Sequence, residues 1–204
     1  MKNYNLTNKS VEDINLDSIF KGKKINILYT DPPWNNFKFW TTLAYKQTGH
    51  KLTPTNNEFI ANFLNKVATQ YLDGYFFLEI GRGMDKMTIS TIFEGLYNFL
   101  EYDVLYKSGS KWLPSKIYVA SSDHKYYFKD DLTNIKCNGP ILPQACIGSV
   151  AKEGGIVYDP FCGLGNTTKA TIKNNMIFYG NEFNKKRLLR TKEILDKHYE
   201  KTSN

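Results

Sequence analysis

Two short apolar runs, Ile25 to Thr30 and Gly155 to Tyr158, each stop at an Asp-Pro pair, Asp31-Pro32 and Asp159-Pro160. Proline has no amide proton for a strand ladder, so a buried strand that reaches Asp-Pro ends there. Between and beyond them, helical and strand patterns alternate. Thr55 and Glu58 form a capping box for a helix to about Leu72, with Phe59, Phe63, Leu64 and Val67 on one face. Gly74 breaks that helix, and Tyr75 to Ile80 reads as a second buried strand closed by Gly81-Arg82-Gly83. Ile89, Ile92, Phe93, Leu96 and Leu100 keep helical spacing, then Tyr102–Tyr106 and Ile117–Ala120 read as an antiparallel hairpin. Ser121 to Asn138 lacks a period and reads as a surface excursion.

Pro143 to Lys152 reads as a helix, followed by the strand into Asp159 and a helix over Thr167–Asn174. A strand at Met176–Tyr179 then leads to an amphipathic helix over Asn184–Tyr199, with Leu188, Leu189, Ile194 and Leu195 inward. Strands alternating with helices predict an α/β sandwich around a mainly parallel sheet with one antiparallel hairpin.

The 204 residues suit one domain: a first half over about 20–121, a short excursion over about 122–138 and a second half over about 139–200. Hydrophobic residues at 41% are enough for a core, which excludes wholesale disorder. A net charge of +7 favours a polyanionic partner, because Lys and Arg near phosphates release condensed counterions. The three cysteines, Cys137, Cys146 and Cys162, show neither metal-ligand spacing nor a disulfide framework. Met1 to Ser10 carries no apolar signal core and no stretch approaches ~20 apolar residues, so the expectation is a soluble, intracellular protein without a membrane partner.

In an open α/β sheet, ligands gather at the carboxyl ends of strands. One such end is Asp159-Pro160-Phe161-Cys162-Gly163-Leu164-Gly165, where two residues without Cβ let the backbone turn sharply against a ligand before the helix opens at Asn166 or Thr167. Glu182 lies about 20 residues on, at the next strand's end, where a carboxylate accepts from ribose hydroxyls. Without a Gly-Lys-Ser/Thr segment a triphosphate lacks its charge partner, whereas an adenosine without phosphates fits. The bland alternative is a turn that only closes a strand–helix junction.

The other end is Asp31-Pro32-Pro33-Trp34. Two prolines leave carbonyls free beside one carboxylate and one aromatic plane, a set suited to an exocyclic base amine. If Asp31 and the Pro32 carbonyl each accept one N–H, the nitrogen lone pair is directed at an in-line methyl. Trp34 stacks on a base flipped out of its duplex.

These two motifs, in this order, resemble the beta-class amino-methyltransferases, a circularly permuted arrangement of the Rossmann-like methyltransferase fold, from about Ile25 to Leu195. The resemblance implies S-adenosylmethionine as cofactor and transfer of its methyl group to a base amine. It implies Asp31, Pro32, Pro33 and Trp34 as the catalytic motif. It also implies a cofactor site of Asp31, Pro140, Leu142, Asp159, Phe161, Cys162, Gly163, Gly165, Asn166, Thr167, Glu182 and Phe183. Gly139-Pro140 stands where the family has Lys-Pro. Asp rather than Ser at position 31 resembles the adenine-N6 members more than the cytosine-N4 members, and the motif also resembles messenger-RNA adenosine methyltransferases. Sequence-specific members carry a sizeable recognition domain where this chain has the short excursion. Recognition is therefore expected to be short, relaxed or supplied by a partner, whether a second copy or another subunit.

For DNA contact the candidates are Trp34, Phe37, Lys38, Trp40 and Lys51 on or after the first motif, Arg82 after the second strand, and Lys111, Trp112 and Lys116 on the hairpin. Each has an ordinary reading as a solvated charge or a tucked-in aromatic. His124 lacks metal spacing, and Cys162 reads as a small residue packed under the turn. The competing functions are RNA adenosine methylation, a catalytically silent nucleic-acid-binding subunit and methylation of a protein glutamine amide.

Overall fold

The computed structural model describes residues 4–33, 42, 45–46, 57–80 and 86–202. Its strands are β1 (Tyr4–Thr7), β2 (Ile25–Thr30), β3 (Leu72–Ile80), β4 (Tyr97–Ser108), β5 (Lys111–Ser121), β6 (Lys136–Cys137), β7 (Ile156–Asp159) and β8 (Ile177–Asn181). Its helices are α1 (Leu16–Phe20), α2 (Asn57–Tyr71), α3 (Lys86–Phe93), α4 (Ile141–Val150), α5 (Asn166–Lys173) and α6 (Lys185–Thr202). The strands form one sheet in the order β1-β8-β7-β2-β3-β5-β4-β6. Pairing is parallel from β1 through β3, antiparallel at β3–β5 and β5–β4, and parallel again at β4–β6. The fold is thus the mainly parallel α/β sandwich with an antiparallel hairpin that the alternation predicts.

Alternate residues of the central strands face opposite layers. Leu28, Phe76, Leu78, Tyr118 and Tyr158 pack against α1, α2 and α3 through Phe20, Leu64, Val67 and Ile92. Ile27, Tyr29, Phe77, Ile117 and Val157 pack against α4 and α5 through Leu142, Cys146, Ile147 and Ala170. Phe178 of β8 meets Leu195 of α6, with Tyr4 and Leu6 of β1 beside it. No described helix is long and apolar enough to cross a membrane.

Several local expectations give way to packing. Gly74 lies inside β3 rather than ending a helix: a Cβ there would come within 2.1 Å of the Asn26 carbonyl oxygen, where the β2–β3 register shifts at a bulge. On α2 the inward face is Ile60, Ala61, Phe63, Leu64, Val67 and Ala68, while Phe59 is exposed. The helical spacing from Ile89 to Leu100 does not persist; α3 stops at Phe93, Gly95 turns at φ +75°, and Leu100 lies on β4. On α6 Leu189 is exposed, and Thr191 and Leu195 are the wholly buried positions.

The segment Ser121–Asn138 is not a surface excursion throughout. Phe128 and Leu132 are buried, with Phe128 edge-on to Phe77 at 5.4 Å, and Lys136–Cys137 add a strand to β4. Aromatic residues without a period can anchor a segment singly, which a period-based reading misses. The polar N-terminal stretch also supplies β1, an outer strand held by β8. Thr55, Trp34, Phe37, Lys38, Trp40, Lys51 and Gly81-Arg82-Gly83 lie outside the described residues.

Candidate active site

The β2–β7 register pairs Ile27 with Val157 and Leu28 with Tyr158, so the next neighbours are Tyr29 and Asp159. The β2–β3 register pairs Tyr29 with Phe77 and Thr30 with Leu78, so Asp31 stands beside Glu79. Alternation turns Tyr29, Asp31, Glu79 and Asp159 toward the α4–α6 layer. The two Asp-Pro tips therefore end side by side on neighbouring parallel strands, and their carboxylates lie close enough to act on each other.

Asp159 is 3% exposed; its Oδ1 accepts from the Phe161 amide at 3.0 Å and its Oδ2 from the Thr167 hydroxyl at 2.6 Å. Burial pushes its carboxyl up to about 7 against those two donors, with the charge of Glu182 adding to the rise. Asp31 keeps exposed surface at the strand tip. Its carboxyl is nevertheless raised well above the usual range, first by the protein crowded around it, then by Glu79 and Asp159, while Arg187 of α6 opposes the rise. Pro32 is buried behind it and Pro33 partly so.

The loop after β7 is held by its neighbours. Gly163 and Gly165 take φ of +53° and +82°, left-handed conformations that favour glycine. A Cβ on Gly165 would lie 2.9 Å from Ile194 Cδ1 and 3.1 Å from Thr191 Oγ1, so α6 presses directly on the loop. A Cβ on Gly163 would meet nothing nearer than the Phe161 carbonyl at 3.7 Å, so open space lies in front of it. Glu182 closes the arrangement, its Oε2 accepting from the Gly163 amide at 3.0 Å and its Oε1 from the Asn184 amide at 2.7 Å. Burial raises its carboxyl despite these bonds. Each oxygen keeps a second lone pair, so the carboxylate can still accept from a ligand diol. A glycine loop opening onto α5, free space before it and a carboxylate at its edge fit a phosphate-free nucleoside.

Of the cofactor-side candidates, Asp159, Phe161, Gly163, Gly165, Asn166, Thr167, Glu182 and Phe183 lie on this loop, at the start of α5 or at the end of β8. Cys162 contributes backbone, since its side chain is packed between Phe178 and Leu195 beneath the turn. Pro140 is the N-cap of α4. Leu142 is wholly buried and packs in the core with Cys146 and Ile147.

Four residues that sequence patterns did not single out belong here. Tyr29 donates its hydroxyl to Glu79 Oε2 at 2.8 Å. Arg187 lies near enough to Asp31 and Glu182 to favour both carboxylates. Asn181, 1% exposed, accepts from the Thr7 hydroxyl at 2.8 Å and the Lys9 amide at 3.2 Å, and donates to the Lys9 and Pro160 carbonyls at 3.0 and 3.2 Å. Only strand alternation counted from Asp31 could have raised Glu79; nothing local marks the others.

The β4–β5 hairpin overhangs the same edge of the sheet. Lys116 pairs with Ile80, the last residue of β3, so Lys111 to Ser115 run on past it by roughly 15 Å. Trp112, 36% exposed, has Lys107 Nζ 5.8 Å and Lys136 Nζ 5.6 Å from its ring. Lys116 is bonded to Glu101, and to Asp103 at 2.9 Å, so its charge is already answered. His124 packs on Tyr97 at 4.0 Å, and no metal-ligating cluster occurs among the described residues.

Residues 136–193 match the family model N6_N4_Mtase, described as DNA methylase. Among solved structures, the chain is similar to the M1.HpyAVI–SAM complex with 15% identity and a TM-score of 0.63, over 94% of this chain and 98% of that one. It is also similar to TTHA0409, described as a putative DNA modification methylase from Thermus thermophilus, complexed with S-adenosyl-L-methionine. There the identity is 13% and the TM-score 0.61, over 96% and 94% of the two chains. The cytosine-N4-specific PvuII DNA methyltransferase gives 14% and 0.60 over 98% and 94%. At these identities the likeness shows the fold. Among curated proteins, no sequence matches.

Proposed function

We propose that this chain is a DNA methyltransferase of the N6/N4 amino-methylase kind, as the match over residues 136–193 and the likeness in fold support, and that its acceptor is the N6 amino group of adenine. The cofactor is S-adenosylmethionine, which supplies an electrophilic methyl group on sulfur. The observation that carries the reading is the side-by-side ending of β2 and β7, which sets the Asp31 carboxylate beside the glycine loop.

In this reading the Gly163–Gly165 loop and Glu182 hold the adenosyl and methionine portions, and Asp159 braces the loop through Phe161 and Thr167. Asp31 accepts one amine N–H and the Pro32 carbonyl the other, which localises the nitrogen lone pair and aims it along the line of attack. Asp at position 31, where the cytosine-N4 members have Ser, supports adenine. Trp34 stacks on the flipped base, and the hairpin bearing Lys111 and Trp112 reaches toward duplex phosphates, with Lys38, Lys51, Arg82, Phe37 and Trp40 assigned to the same partner. Lys116 is withdrawn from that group, since two carboxylates hold it.

The test incubates the protein with labelled S-adenosylmethionine and duplex DNA, single-stranded DNA or RNA, then identifies the methylated nucleoside by mass spectrometry. N6-methyladenine in DNA is the expected product. N4-methylcytosine alone overturns the base assignment, and transfer to RNA alone overturns the polymer. Asp31→Ala lowers turnover by about 10³-fold or more while S-adenosylmethionine affinity stays within a few-fold, because the carboxylate acts in the transition state.

A further inference from the structure

We propose that Glu79 is a positioning residue that acts through Asp31. Held by the Tyr29 hydroxyl in the register position beside Asp31, it concentrates negative charge at the acceptor site and makes Asp31 a stronger acceptor for the amine N–H. The inference rests on the methyltransferase reading for its functional meaning and on strand geometry for its physical content.

The geometry is direct. Tyr29–Phe77 and Thr30–Leu78 are register pairs, so Asp31 and Glu79 are the next pair of two parallel strands. Strands so paired lie about 4.8 Å apart, and alternation puts both side chains on the same face. The Tyr29 hydroxyl, from two residues before Asp31, fixes Glu79 Oε2 at 2.8 Å. Glu79 is the acidic position on an otherwise apolar stretch: Phe77, two residues earlier on the same face, is fully buried, and Ile117 opposite Glu79 on β5 is apolar.

Among the described residues, charged and titratable groups face the pair from five elements. Tyr29 comes from β2, Asp159 from β7, Cys137 from β6, Cys146 from α4 and Arg187 from α6. Among them Arg187 alone carries positive charge toward Asp31. The protein around Asp31 raises its carboxyl most, and Glu79 is the first of the charges that add to the rise. Burial raises Glu79 itself, against the lowering by Tyr29. Two such carboxyls titrate as a pair, in two steps that belong to both.

The experiment compares wild type, Glu79→Gln, Glu79→Asp and Tyr29→Phe as full chains. Two readouts are taken: the pH dependence of kcat for methyl transfer to duplex DNA, and the carboxyl carbon-13 titration of Asp31, assigned with Asp31→Asn. In Glu79→Gln the two-step titration becomes one step, and both that midpoint and the acid limb of kcat move down by about one pH unit. Glu79→Asp restores part of the shift, and Tyr29→Phe gives an intermediate profile. An Asp31 midpoint and acid limb unchanged in Glu79→Gln overturn the inference, because a merely structural residue would lower activity without moving either. If wild type methylates no nucleic acid, the proposed function fails, and the carboxyl titration still decides the coupling of Glu79 to Asp31.

Discussion

Asp159 offers the sharpest test of the electrostatics beneath the crevice, through the change Asp159→Asn. The substitution keeps size and both contacts: the amide oxygen can accept from the Phe161 amide, and the amide nitrogen can donate to the Thr167 hydroxyl in place of the bond it now makes. What it removes is a buried charge. The carboxyl is raised from an ordinary 3.8 to about 7, first by burial. A folded-state pKa above the unfolded value means that the protonated form's stabilisation is fully present below about 4 and is lost as pH rises through 7. A rise of about three units at 1.36 kcal/mol each makes that loss about 4 kcal/mol. Asparagine does not titrate, so the variant should gain on wild type by that amount between pH 4 and pH 8. For a chain of this size the gap in Tm widens by on the order of 10 °C. Thermal melts by circular dichroism without S-adenosylmethionine, in half-unit pH steps, measure it directly. A gap that stays constant with pH, or one that favours wild type more strongly at pH 8, would refute the claim that burial outweighs the two donors.

Gly165→Ala should cost about 1–3 kcal/mol and weaken S-adenosylmethionine binding, because alanine at φ +82° is strained and its Cβ meets Ile194 at 2.9 Å. Melts and calorimetry check both, and an unchanged Tm would mean that α6 yields freely. Lys111→Ala should reduce the salt slope of duplex DNA binding by about one, whereas Lys116→Ala should leave it nearly unaltered, since Glu101 and Asp103 already neutralise that lysine. Fluorescence anisotropy across a salt series separates them, and equal slopes would show that the hairpin pairs open on DNA.

Elements with an uninterrupted apolar run or a strong terminator were legible from sequence alone. The run into Asp31 and the run into Asp159 end where the prolines say they must, and the loop between β7 and α5 follows from its glycines. Gly74 shows where such reading fails: the same residue type ends a helix in one context and admits a neighbouring strand's carbonyl in another, and only the β2–β3 register tells them apart. Leu100 and Leu189 fit a helical period by spacing, yet one lies on a strand and the other faces solvent. The candidate site divides along the same line. Residues carried by motifs were visible in the chain, while Tyr29, Glu79, Asn181 and Arg187 earn their places only by adjacency across strands and layers, which a linear pattern does not encode.

Asn181 shows how far apart in sequence the parts of one crevice lie. Its side chain joins Thr7 and Lys9 to Pro160, and Asn8 adds bonds of 2.6 and 2.7 Å to the Glu182 and Phe183 carbonyls. The stretch after β1 thus fixes the backbone that presents Glu182, although more than 170 residues separate them. Asp31, Glu79 and Asp159 come together only through β2's pairing with both β3 and β7. Pairings of such sequence separation each carry a loop-closure entropy cost that the finished sheet must offset. The crevice is therefore assembled by completion of the sheet from β1 to β3. A change that loosens the outer pair β1–β8 is expected to act on the Gly163 loop through Glu182, and to leave the Asp31–Glu79 pair on β2 and β3 in register.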